Sequence, residues 1–175
     1  SNQELQAVPQ ENEECAGFIL DPNNPVPTIG GRHLFLPSGP KDQREIEKRD
    51  DILLFTTKPL SEDIEVTGQI SLELFMSSDQ KDTDVAVRLT DVYPDGRSVL
   101  IADGLSKFRS AGNVEKVSVD LWNTSHVFAK GHAIRVSVSG TNYPRFECQN
   151  CEKAATKLHF GGRHSSAVIL PIVTD

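Results

Sequence analysis

The chain has 175 residues, with 18 lysines and arginines against 25 aspartates and glutamates, a formal charge of −7. That length suffices for one domain with a real hydrophobic core and no disulfide staples. The acidic balance and the lack of any basic block argue against a nucleic-acid partner, because such binding rests on neutralising phosphates. Three cysteines form no disulfide framework and favour a reducing, cytoplasmic compartment. Apolar runs are only a few residues long and no signal peptide is visible, so no membrane partner is expected. Ser1 and Asn2 resemble the remnant of tag cleavage, and the chain reads as an excised fragment.

Residues 1–16 are polar and acidic and read as a tail or linker remnant without order, ahead of a single domain over 17–175. Residues 18–20 predict a short strand. Residues 21–31, DPNNPVPTIGG, hold three prolines and two glycines, which predicts an ordered, meandering loop. Residues 34–36 predict a brief strand. Residues 41–51, KDQREIEKRDD, carry nine charges and one apolar anchor, Ile46. Without an apolar stripe no free-standing helix forms, so a short turn laid over a surface is expected.

From residue 52 the pattern is strand after strand. Residues 52–57 are one; in residues 66–76, Ile70, Leu72, Leu74 and Met76 share a face opposite Ser71, Glu73 and Phe75. Val85, Val87 and Leu89 alternate with Ala86, Arg88 and Thr90, which predicts a strand with one face buried and the other exposed. Tyr93, Pro94, Asp95 and Gly96 then supply the turn of an antiparallel hairpin whose second arm is residues 99–102. Further strands are expected at 105–109, 117–121, 134–139, 158–160 and 167–173, with turns at Gly112, Asn113 and at Lys130, Gly131. About eight to ten such strands and no alternating helices predict an all-β sandwich or jelly roll.

No catalytic constellation is legible. Ser106 follows Gly104 without the second glycine of a hydrolase elbow, so its reading as a nucleophile fails. His33, His126, His132, His159 and His164 lack zinc-site spacing and read as structural. Cys148 and Cys151 form a C-x-x-C without a second pair, which leaves a zinc half-site, a redox pair or two loop thiols open. Asp79, Asp82, Asp84 and Asp91 cluster in sequence, but a calcium loop would need a central glycine and a closing glutamate in register; turn capping is the expected role. Trp122, Phe128, Tyr143 and Phe146 offer either core aromatics or a sugar platform, and Asn123, Thr124, Ser125 fits the glycosylation pattern by residue type.

Six ordered blocks together resemble one family. They are DPNNPVPTIGG at 21–31, GPKDQREIEKRDDILLFTTKPL at 39–60, VTGQISLEL at 66–74, DTDVAVRLTDVYPDGRS at 82–98, HVFAKGHAIRVSVSGTNYPRF at 126–146 and SSAVILPIV at 165–173. The family is the C-terminal, non-catalytic domain of the X-Pro dipeptidyl-peptidase and cocaine-esterase-like serine hydrolases. The resemblance implies a galactose-binding-like jelly-roll β-sandwich that follows an α/β-hydrolase domain with a helical cap. The family's triad lies in that hydrolase domain, so no catalytic, cofactor or metal residue is carried over. It further implies that the chain packs on the hydrolase domain of the same polypeptide, shapes its active site, or joins subunits of a homo-oligomer. Asp42, Arg44, Arg49 and Asp50 are the residues expected to face the missing domain. Residues 147–152 depart from the family's Asn-rich, Gly-ended stretch, and residues 1–15 do not match the strands that open the family's domain. A free-standing carbohydrate-binding module and a metal or redox protein built on Cys148 and Cys151 are the competing readings.

Overall fold

In a computed structural model, which describes residues 2–110, 112–147 and 152–174, the alternating runs become strands. Ten are present among the described residues: β1 (Asn2–Glu4), β2 (Glu14–Leu20), β3 (Ile52–Thr56), β4 (Ile64–Ser78), β5 (Asp82–Val92), β6 (Ser98–Arg109), β7 (Glu115–Phe128), β8 (Ala133–Ser139), β9 (Ala154–Phe160) and β10 (Ala167–Ile169). One sheet runs β1-β3-β8-β5-β6. In the other, β7 lines one edge of β4, while β9 and β10 share the opposite edge and β2 lies beyond β9. Set aside the short β1 and β10, and the two sheets read 3-8-5-6 and 2-9-4-7. That pair of interlocked Greek keys is a jelly roll.

The inward faces follow the period-two pattern. Val66, Ile70, Leu72, Leu74 and Met76 of β4 meet Val85, Val87 and Leu89 of β5 and Ile134, Val136 and Val138 of β8 in one buried cluster. Each such side chain contributes about 1.5–3 kcal/mol by leaving water. The β5–β6 turn forms as its residues require: Gly96 takes φ +87°, its N–H donates to the Tyr93 carbonyl, and Asp95 accepts from the Arg97 amide. Gly104 lets β6 lie close against β7; a Cβ there would fall 2.2 Å from the Asp120 carbonyl oxygen.

Several expectations are corrected, and the strand expected at 167–173 stops at Ile169. The outer face of β5 is not exposed, since every residue from 83 to 91 is buried. A third layer made of residues 21–51 and the loop at 140–147 covers it, and Val26 and Ile46 form a second apolar cluster with Ile52 there. Residues 41–43 run alongside the edge of β6, with Gln43 N–H donating to the Ser98 carbonyl and Leu100 N–H to that of Lys41. Residues 34–36 form bends rather than a strand. β6 is one continuous strand, and β7 runs past Leu121 because a bulge opposite Ile70 and Ser71 shifts its phase. Finally, the stretch read as an unordered tail is held in place: β1 pairs in parallel with β3, and β2 begins at Glu14. The charged segment at 41–51 behaves as expected, with a single 3-10 turn at Ile46–Lys48 anchored by buried Ile46.

Candidate functional site

Between the third layer and the first sheet lies a buried polar network. Arg88, 1% exposed, donates to Ser139 Oγ at 3.1 Å, and Asp103 pairs with Arg145 while accepting from Asn142 Nδ2 at 3.1 Å. Burial pulls the Arg88 guanidinium down to about 10, and the charges of Asp103, Glu47 and Asp51 oppose that, so it stays protonated at neutral pH. Glu47 accepts from Ser98 Oγ at 2.7 Å and from Arg135 Nη1 at 2.6 Å. These contacts join the third layer to β6 and β8. They are a fastening, since the charges are matched to one another.

The histidines are likewise engaged. His126 Nε2 and His132 Nδ1 each meet one carboxylate oxygen of buried Asp91, at 3.1 and 2.9 Å. His159 Nε2 lies 2.9 Å from Ser77 Oγ, and burial pushes that imidazole down. His164 Nδ1 is 2.7 Å from Glu13, whose carboxyl is held below its usual range by that hydrogen bond. Asp79 accepts from the Ala155 amide and Asp82 from Arg109 Nε, while Asp84 is buried beside Lys107. Among the described residues no group of three or more His, Cys, Asp or Glu is arranged to hold a metal ion. Cys148 and Cys151 lie outside the described residues. Ser106 sits within β6, opposite Val85, and not on a strand-to-helix turn. Phe128 is fully buried, so the four aromatics form no single platform, and Asn123 lies in β7 opposite Gln69.

Of the four charged residues expected at an interface, three are bound within the chain, Asp42 and Arg44 to one another and Arg49 to Asp51. Asp42 accepts from Arg44 Nε at 2.8 Å and from the Ser98 amide at 3.2 Å, and the Arg44 bond is the main reason its carboxyl is held down. Arg49 forks onto Asp51 with bonds of 2.8 and 2.6 Å and reaches the Asn24 carbonyl at 2.8 Å. Arg44 and Asp50 are exposed.

A different surface stands out. The loop from Gly31 to Gly39 closes on itself through reciprocal backbone bonds of 2.9 and 3.0 Å, and at its tip Leu34 and Phe35 are 93% and 95% exposed. Two adjacent large apolar side chains thus stand in water on an ordered loop. Composition alone read residues 34–36 as a strand; the signal for a loop was the pair of glycine-bearing flanks. At the opposite edge of the sandwich an apolar groove of about 530 Å³ opens between the sheets. Phe55, Ile134, Phe160 and Val168 wall it and residues 5–10 roof it. No helix among the described residues is long and apolar enough to cross a membrane.

Residues 9–169 match the family described as the X-Pro dipeptidyl-peptidase C-terminal non-catalytic domain. The chain belongs to this family. It is 36% identical over 187 aligned positions to the cocaine esterase of Rhodococcus sp. (strain MB1 Bresler), covering 92% of this chain and 33% of that protein. Among solved structures, an aminopeptidase from the marine sediment archaeon Thaumarchaeota archaeon matches with a TM-score of 0.80 at 24% identity, over 95% of this chain and 34% of that one. An α-amino acid ester hydrolase matches with a TM-score of 0.74 at 23% identity, over 91% of this chain and 32% of that one. Both show the same fold. The chain thus spans about a third of the length of these proteins. A non-catalytic domain of this family has no need of a nucleophile elbow, in keeping with the placement of Ser106 in mid-strand.

Proposed function

We propose that this chain is the C-terminal accessory domain of a serine hydrolase of the X-Pro dipeptidyl-peptidase or acyl esterase and amidase type, and that it packs on the α/β-hydrolase domain of the same polypeptide and shapes its active site. The match to a non-catalytic family over residues 9–169 carries this reading. The exposed tip of Leu34 and Phe35 supplies the contact: two apolar side chains of this size gain about 1.5–3 kcal/mol each on burial against a partner. Asp50 and the Arg44 guanidinium, exposed even as it pairs with Asp42, lie on the segment that follows the loop and make the charged rim of that contact. In such a parent the chemistry is acyl transfer, with serine attack, histidine as general base and an oxyanion held by backbone amides, all supplied by the other domain.

The assay is hydrolysis of X-Pro anilides and short acyl esters by the purified 175-residue chain and by the full-length polypeptide. The full-length protein is expected to turn over one of these classes and the 175-residue chain neither. Turnover by the chain alone that a serine-directed inhibitor abolishes contradicts the reading.

A further inference from the structure

The tip of the 31–39 loop is only useful as a contact if its direction is fixed, and the fixing comes from the other sheet. Inside the loop, His33 braces the turn: its Nδ1 accepts from the Leu36 amide at 3.3 Å and its Nε2 donates to the Gly30 carbonyl at 2.8 Å. Outside it, Arg32 Nη2 donates to the Leu121 carbonyl at 3.3 Å, and its guanidinium lies 5.2 Å from the centre of the Trp122 ring. An arginine over a tryptophan face is an attractive pairing.

Trp122 holds an unusual backbone. Its φ is +70°, the only non-glycine positive φ among the described residues, and it sits at the bulge where β7 slips against β4. Its N–H donates to Asp120 Oδ1 at 2.7 Å, which locks the bulge. A side chain in the left-handed region is strained, and this one is 58% exposed, so core packing does not explain why a tryptophan stands there. Its use is the ring it offers to Arg32.

We propose that Arg32 and Trp122 form a strut that positions the 31–39 loop, so that Leu34 and Phe35 are presented to the hydrolase domain in a preorganised direction. The inference rests on the accessory-domain reading. Holding the tip before contact removes the ordering cost that a loose loop would bring to docking. Both residues act through the loop, and they are positioning residues.

The test begins with backbone order parameters of residues 33–37 in the 175-residue chain. In the wild type they are expected near about 0.85, the value of rigid backbone, and to fall below about 0.6 in Arg32→Ala and Trp122→Gly. Trp122→Phe, which keeps a ring, is expected to retain most of the order. Trp122→Gly relieves the strained φ, so its Tm is expected to equal or exceed that of the wild type even as the loop loosens. A stability role alone would move the two together. Unchanged order in both Arg32→Ala and Trp122→Gly overturns the strut. In the full-length polypeptide, Arg32→Ala is expected to weaken the protection of residues 34–36 from hydrogen exchange. Protection equal to the wild type contradicts the positioning role, whereas a wild type without protection contradicts the accessory-domain reading instead.

Discussion

The outer faces of the two sheets carry the same alternating code and meet opposite surroundings. On the second sheet, Ser71, Glu73, Phe75 and Ser77 of β4 stay partly exposed, as alternation predicts. On the first, Ala86, Arg88 and Thr90 are as buried as the core residues between them. Alternation therefore tells which residues face inward, and says nothing of what lies over the other face. The cover comes from residues 21–51, whose prolines, glycines and charges read locally as loop. The polar side chains of β5 tolerate burial because they find partners: Arg88 donates to Ser139 Oγ at 3.1 Å, and Thr90 Oγ1 lies 2.8 Å from Ser98 Oγ, which in turn reaches Glu47 of the covering layer.

That contrast can be broken most sharply at Asp103. Asp103→Ala takes from buried Arg88 and partly buried Arg145 a counter-charge that they share, and a loss of about 3–5 kcal/mol in urea unfolding is expected. Removing the third layer's apolar anchor comes next: Ile46→Ala is expected to cost about 2–4 kcal/mol, the usual range for a buried isoleucine. The matched change on the wet face is smaller. Truncating either member of the Lys116–Glu73 pair, which bridges β7 and β4 at 2.9 Å with both side chains about half exposed, is expected to cost less than about 1 kcal/mol. A double-mutant cycle reads that pair, and a coupling as large as the Asp103 effect would erase the distinction between the faces.

The smallest expected effect is a pH slope. Asp84 lies on the covered face of β5, and burial raises its carboxyl above the ordinary value of 3.8, with Lys107 opposing. The folded chain then holds that proton more tightly than the unfolded one. This site's contribution to stability is present at low pH and is lost as pH rises from about 3.8 through the raised folded value. Asp84→Asn is expected to flatten that part of the stability profile, measured by urea midpoints from acid to neutral pH. An unchanged slope places the pH dependence elsewhere.

Much of the scaffold was legible in the sequence for a physical reason. β4, β5, β7 and β8 reveal themselves because a strand with one core face must alternate, and the Tyr93–Pro94–Asp95–Gly96 turn because only certain residues take its angles. β7 looked too short because the bulge at Trp122 moves its inward set from 117, 119 and 121 to 124, 126 and 128, which a strict period cannot follow. The N-terminal strand was hidden because β1 is three residues long and takes its order from β3 rather than from its own composition. The surface proposed for the contact was only half visible. Charge density pointed to 42–50, yet Asp42, Arg44 and Arg49 find their partners inside the chain, and the exposed apolar pair stands a few residues earlier.

In the proposed assembly the sandwich meets its hydrolase domain through the 31–39 loop. Amide hydrogen exchange at residues 31–39, compared between the 175-residue chain and the full-length polypeptide, tests it most directly. Exchange at Leu34, Phe35 and Leu36 is expected to slow in the full-length protein. Equal rates in the two would contradict it.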